Sequence, residues 1–411
     1  MPIVFIHGVA TRDSAPDQTV VDLMRRYLSD VVSPGREVDV HYVYWGDVGA
    51  RFAWGGASRP RTRLAGQGGD DAPSPASRAV LAADLGPALP GLPAPAAAPP
   101  VPSRLVPSGP APAPPFSLRT LPADALSDFL ASVLTADGVR DAAVIIAADD
   151  AAHDQALTAA LTAAGGLDEE WDLVGQAIDR RLDAGPLAGM GAGDRWTRLR
   201  DRVGEYLARG NDATGYAITT VLAETRPRLN DLATTFVGDV FEYIDRRGTV
   251  AEVGEIPRRL LTALRQASGT GEPVVVISHS MGGQIVYDAV TTFLPQLPGN
   301  QDLRVDYWCA TASQVGLFEE MKQFLASDPS HRSGVPVPFP DRKYLGGWWN
   351  VWDHNDFLSY TVRGIIDGVD DEPFDSGMSL VSAHSGYLVR PSFYRRLASK
   401  LAAAAEQGWG R

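Results

Sequence analysis

Cysteine is almost absent from this chain of 411 residues, which contains Cys309 alone. A single cysteine forms no intramolecular disulfide and builds no cysteine-based zinc or iron-sulfur site. The hydrophobic content of 45% is sufficient for a large buried core without such staples. This cysteine usage predicts a protein of a reducing cytoplasm.

Long apolar runs are also missing. No uninterrupted stretch approaches the roughly 20 apolar residues that a membrane-spanning helix requires. The apolar run at the amino terminus begins without basic residues and ends at His7, which is too early for a signal peptide. We therefore expect a cytoplasmic protein without a transmembrane segment.

Positive charge is in deficit, with 37 Lys and Arg against 50 Asp and Glu and a formal net charge of −13. Such a chain repels nucleic acid and anionic membrane surfaces unless a basic patch offsets the repulsion. The densest basic group is interpreted as a solvated loop and comprises Arg51, Arg59, Arg61 and Arg63. Nucleic acid is therefore not an expected partner.

Strand and helix patterns alternate in the two outer parts of the chain. Residues 2–6 form a short apolar β-rich run, a helical stripe follows Pro16, and residues 38–45 predict a second strand. Strand, helix and strand in this order indicate a βαβ unit and a parallel sheet. Further buried strands, with helices between and after them, are predicted at 273–277, 303–309 and 348–352. The predicted fold class is α/β, with a mostly parallel central sheet flanked by helices.

The middle of the chain interrupts this alternation. Residues 55–123 are rich first in glycine and arginine and then in proline and alanine, which predicts a flexible linker or lid edge. Residues 124–226 contain amphipathic helical pieces and are predicted to form a cap. This cap would be inserted into a core made of residues 1–54 and 227–411.

A strand that passes through a tight turn directly into a helix surrounds Ser280. The strand is the β-branched run that ends at Ile277, and the helix follows Gly282. A serine in such a turn has a strained backbone, and only small residues two positions before and after it let strand and helix approach. Ser278 and Gly282 occupy those positions. The turn also places Ser280 at a helix amino terminus, where backbone N–H groups stabilise developing negative charge.

This segment resembles the nucleophile elbow of the α/β-hydrolase superfamily. It matches the G-x-S-x-G pattern of that family except for Ser278, which stands at the first glycine. The resemblance implies an α/β-hydrolase fold with Ser280 as the nucleophile. His279, its neighbour in sequence, is predicted to support the elbow.

The pair His7-Gly8 after the first strand also resembles this family, in which the next residue donates one oxyanion-hole N–H. Here that residue is Val9. The resemblance assigns the second donor to the backbone N–H of Met281, directly after the nucleophile. His7 itself is predicted to pack and to support the loop.

The base follows the nucleophile and the acid in chain order if the superfamily arrangement holds. Three histidines follow Ser280, namely His331, His354 and His384. His331 lies among prolines far from any strand end, and His354 lies between the two candidate acids. The loop of His384, before the C-terminal helix, resembles the catalytic-histidine loop of the family, so His384 is the predicted base.

The acid is one of two aspartates at the end of a strand. The segment from Trp349 to Leu358 resembles the strand and acid turn of lipase-like members, including DDHD-type phospholipases and relatives of GPI inositol-deacylases. Asp353 directly follows Trp352, so it is close enough to belong to the strand. Asp356 comes three residues later and begins a stretch that resembles the family's pattern of Asp, any residue and an aliphatic residue. Asp356 is the preferred acid, and Asp353 stays as the alternative.

The resemblance covers roughly residues 1–50 and 228–400. It implies an esterase-like or lipase-like serine hydrolase that cleaves carboxylic esters through an acyl-enzyme and needs no cofactor and no metal. The expected substrate is a small-molecule or lipid-like ester. An acyltransferase or a thioesterase would use the same triad, and a non-catalytic binding or scaffolding protein of this fold is the alternative from another class. The sequence does not predict an oligomeric state.

Overall fold

In the part of the chain that the structure describes, six strands form one parallel sheet. The computed structural model describes residues 1–54, 57, 117–136, 141–183, 233–332, 334–376 and 383–410. The strands in these residues are β1 (Ile3–Ile6), β2 (Val40–Val43), β3 (Val275–His279), β4 (Val305–Thr311), β5 (Leu345–Trp352) and β6 (Asp370–Pro373). Their order across the sheet is β2-β1-β3-β4-β5-β6, and every pair is parallel. The predicted α/β class with a mostly parallel sheet is confirmed.

The strand that the sequence patterns did not indicate is β6. Its residues read Asp-Asp-Glu-Pro, and it pairs with β5 at the edge of the sheet. A four-residue edge strand needs no apolar run, because only part of its surface is buried. It therefore lacks the hydrophobic signal that identifies the central strands.

The central strands are buried on both faces, which explains their continuous apolar sequences. Because successive side chains point to opposite faces, neighbours in β1 and β3 enter different cores. Val4 and Val276 pack in one hydrophobic cluster with Trp308. Ile3 and Val275 pack in the other.

Helices of the first unit cover both faces of the sheet. The helices of both units in the described residues are α1 (Gln18–Val32), α2 (Ala123–Ala136), α3 (Ala142–Ala152), α4 (Gln155–Ala163), α5 (Leu167–Asp183), α6 (233–246), α7 (Glu255–Ser268), α8 (Gly282–Asp288), α9 (Val315–Glu320), α10 (Ala383–Gly386) and α11 (Pro391–Glu406). Of these, α4 and α5 belong to the second unit. The apolar stripe of α7 packs in the cluster of Val4, and those of α1 and α11 pack in the cluster of Ile3. Helix α8 continues through a π-helical turn at Ala289–Phe293.

The strand order places a topological switch point at the carboxyl ends of β1 and β3. The chain leaves β1 to one side to form β2, whereas β3 lies on the other side of β1. Ile6 pairs with Ser278 in register, so the residues after the two strands reach the same crevice. Ligands of open parallel sheets bind in such crevices. The arrangement is compatible with a Rossmann-like or an α/β-hydrolase fold.

The chain divides into two compact units. The first contains 1–55, 123–153 and 232–411, and the second contains 56–122 and 154–231. The predicted cap began at residue 124, whereas in the structure α2 and α3 belong to the unit that contains the sheet. Their apolar residues Ala131, Ala142 and Ile145 pack in the same cluster as Ile3.

A buried aspartate further ties α3 to the sheet unit. Asp149 accepts hydrogen bonds from the hydroxyl of Tyr27 at 2.6 Å and from Nη1 of Arg395 at 2.7 and 2.8 Å. The pairing satisfies a carboxylate that would be costly to bury alone. The amphipathic pattern of this segment showed that helices form, but not which surface they contact.

In the second unit, the structure describes residues 57, 117–122 and 154–183. The buried carboxylate of Glu170 accepts the Leu118 N–H at 2.6 Å and the Ser117 hydroxyl at 2.7 Å. The predicted linker and lid edge, apart from its two ends, and the cap residues beyond 183 lie outside the described residues. Within the described part of the chain, no helix is both long and apolar enough to cross a membrane.

Candidate active site

The turn at Ser280 has the backbone expected of a nucleophile elbow. Ser280 lies directly after β3 and has a φ of 53°, in the left-handed region that non-glycine residues rarely adopt. Its N–H donates to the carbonyl of Thr311 on the neighbouring strand β4 at 2.8 Å. Such a strained residue persists because the surrounding structure determines its conformation.

Small residues around the turn are required by close contacts. A Cβ added to Gly282 would lie 2.8 Å from the carbonyl oxygen of Ile6, so a larger residue would push α8 away from β1. A Cβ added to Gly8 would lie 2.5 Å from the Cβ of Ser280. The loop after β1 and the serine turn therefore touch, and neither glycine tolerates a side chain without a shift.

Ser278, which replaces the first glycine of the family pattern, is fully buried and hydrogen-bonded. Its hydroxyl accepts from the indole N–H of Trp308 at 2.8 Å, and its carbonyl accepts from the Thr311 hydroxyl at 2.9 Å. A buried hydroxyl without a partner would be unfavourable, and here the partner exists. The serine thus fits this position in the described structure.

His384 lies between Ser280 and Asp356. Its Nε2 is 2.8 Å from the Ser280 Oγ, and its Nδ1 is 3.0 Å from both carboxylate oxygens of Asp356. All three residues are buried. A carboxylate only accepts, so Nδ1 carries the proton and Nε2 is left to accept from the serine hydroxyl. The three residues that the sequence predicted as nucleophile, base and preferred acid are brought together.

Asp356 is oriented by two further donors. Its Oδ1 accepts the Leu358 N–H at 3.0 Å, and its Oδ2 accepts the Tyr387 hydroxyl at 3.1 Å. Burial and the neighbouring carboxylate raise the pKa of Tyr387, so the phenol stays a neutral donor. Sequence reasoning missed Tyr387, although its spacing of three residues from His384 places it one helical turn away.

Asp353, the alternative acid, is directed elsewhere. Its Oδ1 accepts the Asn355 N–H at 2.8 Å, and its Oδ2 accepts the Ser376 N–H at 2.7 Å. These contacts stabilise the loop after β5 and the segment after β6. The two remaining candidate histidines also have other contacts, since His331 is 2.9 Å from the Val335 carbonyl and His354 packs edge-on against Trp352.

Two backbone N–H groups next to the serine are available for an oxyanion. Among the described residues, neither the Val9 N–H nor the Met281 N–H has a hydrogen-bond acceptor. Met281 directly follows Ser280, and Val9 follows the glycine that contacts it. Met281 is fully buried and Val9 is partly buried. Backbone N–H groups withdrawn from water are usually satisfied, so two free ones at a serine are suited to bind a negatively charged oxygen.

His7 supports the loop that contains Val9. Its Nε2 accepts the Trp45 N–H at 3.0 Å, which leaves the proton on Nδ1, and Nδ1 donates to the Gly8 carbonyl at 2.5 Å. The ring stacks on the Trp45 indole with centroids 5.2 Å apart. Burial lowers the pKa of His7 to about 4, so the imidazole stays neutral near pH 7.

His279, which was predicted to support the elbow, contacts the predicted base His384. Its Nε2 donates to the backbone carbonyl of His384 at 2.6 Å, and the two rings lie 5.0 Å apart. Burial and the neighbouring His384 lower the pKa of His279 to about 4. The neutral ring therefore anchors the backbone of the histidine loop to the serine turn.

In the described residues, no group of three or more His, Cys, Asp and Glu side chains has the arrangement of a metal site. No family model, curated protein or solved structure matches the chain. Any functional conclusion therefore depends on the geometry of these residues.

Proposed function

We propose that this protein is a serine hydrolase of the α/β-hydrolase class that cleaves carboxylic esters. The observation that carries the proposal is the continuous hydrogen-bonded set of Ser280, His384 and Asp356, with Ser280 in a left-handed turn between strand and helix. A serine, a histidine and a carboxylate in this connection form the recurrent device for activating a hydroxyl nucleophile.

In the proposed mechanism, His384 Nε2 accepts the hydroxyl proton as the Ser280 Oγ attacks the acyl carbonyl. The carbonyl oxygen becomes negative and is stabilised by the N–H groups of Val9 and Met281. Asp356 stabilises the imidazolium, which then protonates the leaving alcohol. Water, deprotonated by His384, releases the acid from the acyl-enzyme and restores the Ser280 hydroxyl.

The crevice after β1 supports this proposal over a dinucleotide-binding alternative of the same sheet topology. A Rossmann-like site uses several glycines after the first strand, so that the pyrophosphate approaches the backbone. Between residues 7 and 17 the only glycine is Gly8. A Cβ there would meet Ser280, so this glycine is explained by contact with the serine turn.

The proposed substrate is a small-molecule or lipid-like carboxylic ester. An acyl-enzyme also permits transfer to another alcohol or thiol, so products should be analysed with and without added acceptors. Free acid as the main product supports the hydrolase. Product found only as the transferred ester or thioester would instead identify an acyltransferase.

The deciding experiment is labelling with a fluorophosphonate probe, followed by p-nitrophenyl ester turnover. We expect the folded protein to be labelled at Ser280 and the Ser280→Ala variant to be inert, because triad serines contribute about 10⁶ in kcat. Asp149→Asn, which alters a buried aspartate outside the triad, is the matched control and should still be labelled. A folded wild-type protein that neither reacts with the probe nor hydrolyses any ester would contradict the proposal.

A further inference from the structure

We propose that Asp239 is a positioning residue for the oxyanion hole, which holds the loop that presents the Val9 N–H. The inference rests on the proposed function, since it concerns the oxyanion formed at Ser280. Asp239 lies on α6 and is 0% exposed. In sequence it is an acid within an apolar stripe, and such a residue requires a specific partner when the stripe packs.

The carboxylate of Asp239 connects three segments of the first unit. Its Oδ2 accepts the Ala10 N–H at 2.9 Å, and its Oδ1 accepts the Ala50 N–H at 2.7 Å. The guanidinium of Arg12 donates to Oδ1 at 2.8 Å and to Oδ2 at 3.2 Å. The bidentate ion pair compensates the buried charge and fixes the orientation of the carboxylate.

Val9 lies between two peptide groups, and Asp239 restrains the one that follows it. The Ala10 N–H belongs to the peptide that follows Val9, and Asp239 binds it. The Val9 N–H belongs to the preceding peptide, whose carbonyl on Gly8 accepts from His7. In a trans peptide the carbonyl and the N–H point in opposite directions, so the Val9 N–H is directed away from His7. With both peptides bound, Val9 has little freedom to rotate.

Backbone strain makes this restraint necessary. Ala10 has a φ of 62°, in the left-handed region. A non-glycine residue in that region costs about 1 kcal/mol or more, so it persists only when its surroundings impose it. Without the carboxylate of Asp239, the loop would relax, and the peptides around Val9 would rotate with it.

Asp239 makes no hydrogen bond to the described triad residues, so its effect is transmitted through the backbone. A merely structural role would lower stability and leave kcat unchanged. A positioning role lowers kcat without changing KM, because the oxyanion exists only after the nucleophile attacks. Measuring kcat and KM separately therefore distinguishes a positioning role from a merely structural one.

The test is Asp239→Asn, which preserves size but removes the charge and one acceptor oxygen. We expect kcat for p-nitrophenyl acetate to fall by at least about tenfold, towards the roughly 10²–10³ measured when an oxyanion donor is removed. The KM should stay within about twofold. The inhibition constant of a trifluoromethyl ketone, which places an oxyanion in the same position, should rise by the same factor as kcat falls.

The matched control is Asp149→Asn, because Asp149 is also a buried aspartate paired with an arginine. It should lower the melting temperature and leave kcat unchanged. If Asp239→Asn does not fold, Arg12→Gln decides, since Arg12 is 40% exposed and its guanidinium makes the bidentate pair and one long hydrogen bond of 3.4 Å to the Ala50 carbonyl. Its kcat should fall by a smaller factor at unchanged KM.

Two results would overturn the inference, and they have different meanings. The first result is an active wild type together with a folded Asp239→Asn variant of unchanged kcat, and it would refute the positioning role alone. If Asp239→Asn does not fold, an unchanged kcat of Arg12→Gln has the same meaning. A wild type that is inert towards both ester and fluorophosphonate would refute the proposed function and this inference together.

Discussion

The two halves of the candidate site are built in different ways. The half that contains the proposed nucleophile, here called the nucleophile side, comprises residues 6–10 and 275–283 and has backbone in unusual conformations, glycines in close contact and free N–H groups. The half that contains the proposed acid and base, here called the acid–base side, comprises residues 352–358 and 383–387 and has side chains joined by hydrogen bonds. We therefore expect the first half to depend on steric fit and the second on charge and on donor direction.

The two halves should therefore respond differently to substitution. On the nucleophile side, one added methyl group should displace the backbone. On the acid–base side, an isosteric change of charge should be the more harmful one. Four experiments, given from the largest expected effect to the smallest, examine this contrast.

The largest effect is expected from Asp356→Asn. The change preserves size but removes the charge that orients and stabilises the imidazolium, and in a serine-protease triad it lowers kcat by roughly 10⁴. Asp353→Asn is the matched control, because Asp353 binds backbone N–H groups of its own loop and of Ser376. Ester turnover of the two variants should differ by at least about a hundredfold. The reverse order would identify Asp353 as the acid.

On the nucleophile side, Gly8→Ala should lower kcat by about 10²–10³, the loss that follows removal of one oxyanion donor. The new Cβ would lie 2.5 Å from the Ser280 Cβ, so either the serine or the loop must move. Gly166→Ala is the control and should be neutral, because a Cβ added there would meet no atom of another residue within 4 Å apart from its chain neighbours. Steady-state kinetics of both would measure the difference. A fully active Gly8→Ala would show that the two loops do not depend on close fit.

The third prediction concerns pH and His7. Burial lowers its pKa from 6.5 to about 4 in the folded protein, so between these values the unfolded chain binds more protons. Stability is therefore complete above pH 6.5 and is lost as the pH falls towards 4, by up to about 3 kcal/mol from this residue. Urea unfolding at pH 7 and 4.5 should show a smaller loss for His7→Gln than for wild type.

The control for the pH experiment is His331→Gln, which changes a partly exposed histidine in a loop. It should keep the pH dependence of the wild type. An identical loss of unfolding free energy in His7→Gln and wild type would show that His7 is not responsible.

The smallest effect is expected from Tyr387→Phe, which removes one of the donors to the Asp356 carboxylate. The loss of a hydrogen bond to a charged group, about 1.5 kcal/mol, corresponds to a fall of about tenfold in kcat. Tyr394→Phe is a matched control, because this buried tyrosine donates to the Leu388 carbonyl and not to the triad. Equal kcat values for the two variants would show that the hydrogen bond from Tyr387 to Asp356 does not contribute to turnover.

The nucleophile side was largely predictable from sequence because its requirements are local. A β-branched run, a serine between small residues and a following helix identify the turn from Val275 to Gly282 without knowledge of the rest of the fold. The strained φ of Ser280 follows from the same local pattern. Residues that restrain the loop from a distance, such as Asp239, leave only an acid within an apolar stripe as a signal.

For the acid–base side, the sequence predicted the candidate residues but not which of them contact each other. His384 lies 104 residues from Ser280 and 28 from Asp356, and no periodicity links such distances. Chain order and resemblance selected the residues. Which aspartate faces the imidazole depends on how the loop after β5 folds. Asp353 and Asp356 are only three residues apart, yet their carboxylates point to different partners.

The sequence by itself determined the parallel α/β sheet, its apolar strands and the position of the serine turn, because hydrophobic runs and small residues act over a few positions. Only the tertiary structure decided that α2 and α3 pack with the sheet, that β6 closes its edge, and that His279 contacts the backbone of His384. These features depend on which surfaces and side chains meet across long separations in the chain. That outcome is set by packing of the whole core and not by any segment alone.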